Sequence, residues 1–209
     1  MDESFETDRV AFGAAARWFA ETVHELDRVP ARWDDPALGE WSRRDLVGHT
    51  SRAVLTVEQY VRPGSSDSDS RTVHYYRAVR GGRADPDEVA DRGRRAGRDL
   101  GVDLPASVDA LVRRVTGMVA GRAADARVET PVGEWRLEAY LPTRVVELVV
   151  HTGDLRTAGG LGGQAPEVAS RRALVVLGAL VADAPSADAP RLLGALTGRS
   201  ALSAGYTVL

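Results

Sequence analysis

The chain has 209 residues and a net charge of −3, and its 27 basic residues are all arginine. It contains neither lysine nor cysteine, which excludes a lysine Schiff base, a thiolate nucleophile, a cysteine-ligated zinc site and a disulfide. The slightly acidic balance, with an isoelectric point near 5.8, argues against a nucleic-acid-binding protein.

Length and hydropathy predict one domain, or one domain with an appendage, at roughly 150 residues per domain. No apolar run approaches the roughly 20 residues of a membrane span. The N-terminal stretch MDESFETDRV is acidic, which is not typical of a signal peptide. We therefore expect a cytoplasmic protein, monomeric or homodimeric, whose partner is a small molecule rather than nucleic acid or a membrane.

The first predicted element is a long amphipathic helix over residues 5–29, which ends at Pro30. Its apolar positions follow a period near 3.6 residues and are Val10, Ala14, Trp18, Val23 and Leu26. A connector follows over residues 31–41. Ser42 is then the expected N-cap of a second helix, with Asp45 as its capping-box partner.

The second helix is expected to run to about Val61. Residues 64–70 are glycine, serine and aspartate, which predicts a polar, mobile loop. Residues 72–80 form a short segment whose type the pattern leaves open. Another helix, with a charged surface, is expected over about 85–100.

The next helix is predicted to begin at Pro105, with an apolar face made of Val108, Leu111, Val112, Val115 and Val119. Residues 127–141 alternate around Pro131-Val132-Gly133, which predicts a small hairpin or an irregular crossing. Pro142 then has the position of a first-turn proline in a helix over 143–158.

Two glycines, Gly159 and Gly160, are expected to close that helix. Residues 167–183 and about 190–198 predict two more helices. At least five helices, little strand and mostly short connections are typical of a helical bundle, so the predicted fold class is mainly α.

The segment Leu141–Ala158 is apolar over most of its circumference, which predicts that it is buried. Even so, Arg144, Glu147, His151 and Asp154 recur at intervals of three and four residues and therefore share one face. A carboxylate without a partner inside a core costs several kcal/mol, so Glu147 needs one.

Two interpretations of this polar face remain open. In the first, Arg144 and Glu147 form a structural ion pair, and His151 makes a hydrogen bond nearby. In the second, Glu147 and His151 present an oxygen and an imidazole nitrogen to one metal ion, and His49 of the second helix supplies a third ligand. A His-Glu-His set is typical of a catalytic zinc or other divalent-metal site with positions left open.

The four histidines differ in what their surroundings indicate. His49 on its own is typical of a core histidine with a hydrogen-bond partner, and its combination with the polar face is what favours a ligand role. His24 lies among acidic residues and is expected to be solvated. His74, beside Tyr75 and Tyr76, is a weaker candidate for lining a pocket.

Two motifs, WSRRDLVGHTSR and later RVVELVVHTGDL, resemble the mycothiol-dependent maleylpyruvate isomerase family, within the broader DinB-like metalloenzymes. The resemblance covers roughly residues 5–160, and the tail LLGALTGRSALSAGYTVL (192–209) is similar to a C-terminal signature of these proteins. The matching positions are Trp41, Ser42, Asp45, Leu46, Val47 and His49, followed by Arg144, Glu147, His151, Asp154 and Leu155.

The resemblance implies a DinB-like four-helix bundle over residues 1–160 that holds one divalent metal, usually zinc, through His49, Glu147 and His151. It implies a short C-terminal extension over 161–209, with a helix plus a small α/β element. The maleylpyruvate isomerases proper carry a larger C-terminal α/β domain, so their particular substrate is not implied for this chain.

The family also implies an enzyme, a mycothiol-dependent isomerase or thiol S-transferase. A thiol that binds the metal loses its proton, and the thiolate attacks an electrophilic substrate. Because the chain lacks cysteine, mycothiol must supply the sulfur. Arg144 and Arg52 are candidates for binding an anionic substrate, and Asp154 for orienting a ligand imidazole. A metal hydrolase that uses bound water, and a non-catalytic binding or regulatory protein, remain as alternatives.

Overall fold

The chain is built from helices, with two small antiparallel sheets between them. The computed structural model describes residues 3–30, 32–79, 86–183 and 188–208. The predicted mainly α class is confirmed by the elements of these residues. In chain order they are α1 Glu3–Arg28, β1 Pro36–Leu38, β2 Trp41–Ser42, α2 Arg43–Tyr60, β3 Val61–Ser65, α3 Thr72–Ala78, α4 Pro86–Asp99, α5 Leu104–Ala120, β4 Ala126–Thr130, β5 Gly133–Arg136, α6 Leu137–Ala158, α7 Glu167–Asp183 and α8 Asp188–Leu196.

Helices α1, α2, α5 and α6 form the bundle. Helix α1 packs against α5 and α6, and α2 packs against the same two helices. Side chains between them are withdrawn from solvent, among them Phe12, Phe19, Leu46, Val115 and Leu148. Facing helices of such a bundle direct side chains inward, where a site for a ligand or metal can form.

The buried face of α1 includes the predicted Trp18, Val23 and Leu26 but not Val10. Val10 is 49% exposed, whereas Phe5, Phe12 and Phe19 are at most 2% exposed. The three phenylalanines lie two helical turns apart on one face. Because an aromatic ring buries far more apolar area than a valine side chain, the rings determine which face of α1 turns toward the core.

Ser42 begins α2, as the sequence predicted. Its side chain accepts a hydrogen bond from the backbone N–H of Asp45, and the Asp45 carboxylate accepts one from the backbone N–H of Ser42 at 3.1 Å. This confirmed capping box satisfies two N–H groups that a helix start leaves without partners. It also fixes the position of His49, about two turns farther along α2.

Strands β4 and β5 form the predicted hairpin, with Val128 opposite Trp135. Strand β3 pairs with β4, which gives a sheet in the order β3-β4-β5. Ser66 follows β3, is buried, and donates its hydroxyl to Glu134 at 2.7 Å. The first residues of the tract predicted to be a mobile loop are therefore held against the hairpin.

Helix α6 begins earlier than the sequence predicted. It starts at Leu137, so Pro142 lies inside it rather than in its first turn. An interior proline removes the hydrogen bond to the carbonyl of Glu138, at a cost of about 3 kcal/mol or more. Leu137, Tyr140 and Leu141 are completely buried on the added turns. Since each large apolar side chain contributes about 1.5–3 kcal/mol on burial, these three outweigh the proline.

The described part of the extension after residue 160 consists of two helices, α7 and α8, and irregular segments before α7 and after α8. Helix α7 has the predicted bounds and packs against α1 and α6, and α8 contacts α7. No strand occurs in residues 161–183 or 188–208. The prediction of a small α/β element in the extension is therefore wrong for these residues. No helix in the described ranges is long and apolar enough to cross a membrane.

Helix α4 crosses α2 with the two backbones in direct contact. A methyl group at Gly48 would collide with the backbone of Gly93 and Gly97, and one at Gly97 would collide with the carbonyl of Arg44. Only glycine allows so close an approach. The contact places α4 directly beside His49, because a Cβ at Gly93 would lie 3.2 Å from the Cβ of His49.

We predict that Gly48→Ala lowers the free energy of unfolding by about 1–3 kcal/mol, the usual cost of overpacking a close-packed interior. Gly117→Ala is the matched control, because Gly117 also lies inside a helix and a methyl group there meets nothing within 4 Å. The control should be neutral or stabilising by about 0.5–1 kcal/mol. Urea unfolding measures both, and equal midpoints would contradict the close approach of α2 and α4.

Candidate metal centre

Three side chains from two helices converge beside one cavity. His49 belongs to α2, whereas Glu147 and His151 lie on successive turns of α6. The Nε2 atoms of His49 and His151 are 3.3 Å apart, and His151 Nε2 is 3.5 Å from Glu147 Oε2. One ligand atom from each residue lies within 4.8 Å of the other two. The structure thus brings together the three residues that the sequence singled out as metal ligands.

The spacing of these atoms fits a small divalent cation. Zinc holds nitrogen ligands at about 2.0–2.1 Å in a tetrahedral arrangement, which places two such atoms roughly 3.3–3.4 Å apart. The observed separations of 3.3 and 3.5 Å agree with this value. A set of two imidazoles and one carboxylate leaves a tetrahedral position for water or a substrate atom. Within the described residues, no other group of three potential ligands converges in this way.

Two of the three side chains carry the charge that a metal ligand needs. Burial lowers the pKa of His49 to about 4, with a further contribution from neighbouring His151, so its imidazole is neutral. Burial on its own would raise the pKa of Glu147, but the hydrogen bond with His151 and the charge of Arg144 lower it to about 2. A neutral imidazole and an ionised carboxylate are the metal-binding forms of these groups.

Asp154 fixes the orientation of the third side chain, His151. Asp154 Oδ2 lies 3.1 Å from His151 Nδ1. Burial opposes a charge on His151, but the hydrogen bonds with Asp154 and Glu147 raise its pKa to about 9. Because Nδ1–H is donated to Asp154, Nε2 faces the other ligands, as in metal sites whose imidazoles are oriented by a carboxylate. His49 has no such support, since its Nδ1 is buried without a hydrogen-bond partner.

Arg144 does not pair with Glu147. The ion pair of Glu147 is with His151, and the Arg144 guanidinium lies over the rings of Tyr75 and Tyr140, 5.1 and 4.8 Å from their centroids. The interpretation of Arg144 and Glu147 as a structural ion pair is therefore wrong. Arg144 is only 8% exposed, so the core contains a cation that no carboxylate of the described residues contacts directly, although the charge of Glu147 acts on it.

The cavity beside the cluster has a volume of about 650 Å³ and is lined by Arg144 and by four of the five tyrosines of the chain, Tyr60, Tyr75, Tyr76 and Tyr140. No sequence motif assigns these tyrosines to a site. Tyr140 lies four residues before Arg144 on the polar face of α6, so its spacing could have identified it as a residue of the site. The other three come from α2 and α3, and no pattern within those helices points to them.

Two of these tyrosines are already committed to hydrogen bonds. Tyr140 donates to Thr56 Oγ1 at 2.9 Å, and Tyr76 donates to the carbonyl of Thr143 at 3.3 Å. Burial raises the pKa of both hydroxyls. They are therefore neutral wall residues and positioning groups, not bases.

The remaining sequence candidates divide between the cavity and the surface. Arg52 lines the same cavity. His74 does not line it, and its Nδ1 accepts a hydrogen bond from the backbone N–H of Arg71 at 3.2 Å. His24 lies 2.9 Å from Asp109 and joins α1 to α5 at the surface. Of the four histidines, only the two in the cluster therefore border the cavity.

The family model described as "Mycothiol maleylpyruvate isomerase N-terminal domain" matches residues 12–156. The matched region contains the three clustered ligands and Asp154, as well as every cavity-lining residue named so far. No curated protein and no solved structure matches the chain.

If His49, Glu147 and His151 hold a divalent metal, as we propose, His49→Ala and His151→Ala should each reduce the bound metal from about one ion per chain to nearly none, because the protein supplies only three ligands. Elemental analysis of the purified variants measures this content. His24→Ala is the matched control and should keep the metal. Unchanged metal in both ligand variants would overturn the assignment.

Proposed function

Because the chain belongs to the mycothiol maleylpyruvate isomerase N-terminal domain family, we propose that it is a divalent-metal-dependent enzyme that uses mycothiol as a thiol cosubstrate. The reaction is isomerisation of, or S-transfer to, a small electrophilic substrate with an anionic group. Zinc is the metal that best suits the ligands. The main support is the preformed cluster of His49, Glu147 and His151 beside a buried arginine in one cavity.

The protein's own residues would arrange the ligands before any substrate arrives. Asp154 holds His151 through Nδ1, and α4 packs over His49 through the glycine contact. A metal bound by the cluster would stabilise the thiolate form of a thiol that coordinates it. Since the chain has no cysteine, no side chain of the protein competes with the incoming thiol.

Arg144 would bind the anionic group of the substrate. A buried guanidinium without a carboxylate partner costs free energy, and a substrate carboxylate would supply that partner through two parallel hydrogen bonds. The rings of Tyr75 and Tyr140 hold the guanidinium in place by cation–π contacts. Arg52, which lines the same cavity from α2, is the second anion-binding candidate.

We expect mycothiol at about 100 times its Kd to raise the free energy of unfolding of the metal-loaded protein by about 2.7 kcal/mol, because a ligand that binds only the folded state stabilises it. The increase should disappear with S-methylated mycothiol, which has no thiol proton to lose, and in His151→Ala. Thermal unfolding with each ligand measures the effect.

No stabilisation at millimolar mycothiol would contradict the use of this thiol. Hydrolysis of an ester or amide substrate without added thiol would support a metal hydrolase in its place. A protein that neither retains metal nor responds to the thiol would support a non-catalytic binding role.

We predict that Arg144→Met weakens the binding of benzoate by about 1.5–3 kcal/mol, the usual value of a hydrogen bond to a charged group, and leaves neutral benzamide nearly unaffected. Isothermal titration measures both ligands. Arg171→Met, the same change on an exposed side chain of α7, is the control. An unchanged preference for benzoate would exclude Arg144 as the anion-binding group.

A further inference from the structure

The segment 199–208 reaches the mouth of the same cavity. Thr207 is one of the residues that line it, together with side chains from α2, α3, α4, the β4–β5 hairpin and α6. Among these lining residues, Thr207 alone lies outside residues 12–156, the part that the family model matches. The C-terminal segment therefore adds to the cavity a wall that lies outside the matched region.

A tight turn directs the segment back toward the bundle. The N–H groups of Arg199 and Ser200 donate to the carbonyl of Gly194 and end α8. The N–H of Tyr206 then donates to the carbonyl of Ser203 at 3.1 Å, with Gly205 at φ +72° between them. A turn of this kind requires a positive φ at its third residue, which glycine adopts without strain.

The solvent exposure of the residues changes at this turn. Residues 200–205 are exposed, whereas Tyr206 and Val208 are half-buried. Thr207 between them is exposed, so it lies at the mouth of the cavity rather than at its floor. Thr207 is thus the residue of this segment that borders the opening of the cavity.

The segment is mostly exposed to solvent, since residues 200–205 are exposed and only Tyr206 and Val208 are half-buried. The hydroxyl of Tyr206 is buried without a hydrogen-bond partner, which costs free energy relative to a solvated hydroxyl. An exposed segment near a chain end opens locally far more easily than the core unfolds. It can therefore cover the cavity and still let ligands pass.

We propose that residues 199–208 form a strap across the mouth of the cavity and that Thr207 limits the size of the substrate that enters. The segment is then a specificity-determining part of the site. A volume of about 650 Å³ suits a small molecule, for which pockets of roughly 300–1,000 Å³ are usual. The inference rests on the proposed function only in assuming that this cavity holds the substrate.

Chemical labelling can test the strap because the chain has no cysteine of its own. Val146 is completely buried and lines the cavity, so a bulky maleimide reaches a cysteine in Val146→Cys through the mouth. Ending the chain after Arg199 should accelerate this labelling about tenfold, because the opening step is no longer needed. Thr207→Trp in the full-length protein should slow it, and Thr207→Ser should leave it unchanged.

Two matched variants separate access to the cavity from general loosening of the fold. Val115→Cys places the thiol in the core away from the cavity, and Val102→Cys places it at a 97% exposed position. Both should react at the same rate in the full-length and shortened chains. An unchanged rate for Val146→Cys, or a parallel increase for Val115→Cys, would overturn the strap. The labelling requires neither metal nor thiol cosubstrate. Its result therefore tests the strap even if the proposed enzymatic function is wrong.

Discussion

The placement of two opposite charges on one apolar helix, with Arg144 buried and Glu147 half-buried, is the constraint on which the rest of the site depends. Glu147 and Arg144 both lie on α6 and each is stabilised by the charge of the other, yet they form no direct ion pair. Glu147 is stabilised by His151, and Arg144 by the faces of Tyr75 and Tyr140. An ion without compensation costs several kcal/mol in a protein interior, so both charges require these partners. His151 and Tyr140 come from α6 itself, and Tyr75 comes from α3.

Two local features of helix α2 position His49, the third residue of the cluster. The capping box of Ser42 and Asp45 sets where the helix begins, and the contact of Gly48 with α4 sets how deeply it lies in the fold. The two together place His49 Nε2 against His151. A change of either feature would move a ligand atom, and a metal site tolerates little movement because its ligand distances are fixed.

Some polar groups of the site remain without partners, and they indicate where ligands belong. His49 Nδ1 is buried and makes no hydrogen bond, and Arg144 has no carboxylate beside it among the described residues. Natural proteins leave few buried polar groups unsatisfied, and those that remain are frequently functional. The cavity combines a preformed ligand cluster, a buried cation and an aromatic wall, and each of these would become more favourable on binding a metal or an anionic substrate.

The sequence alone predicted all the described helices except α3, whose type the pattern left open. It also predicted the cap of α2, the hairpin, and the grouping of Glu147, His151 and Asp154, because these depend on residues only a few positions apart. The motifs that resemble the family also identified His49 as their partner. Only the tertiary structure decided that Arg144 turns toward the tyrosines, that α6 continues through Pro142, and that the phenylalanines orient α1. Those outcomes depend on how much area is buried between elements far apart in the chain, and no local pattern records that contact. The same reason explains why no sequence pattern identified Tyr60, Tyr75, Tyr76 and Thr207 as cavity residues, since they reach the cavity from α2, α3 and the C-terminal segment.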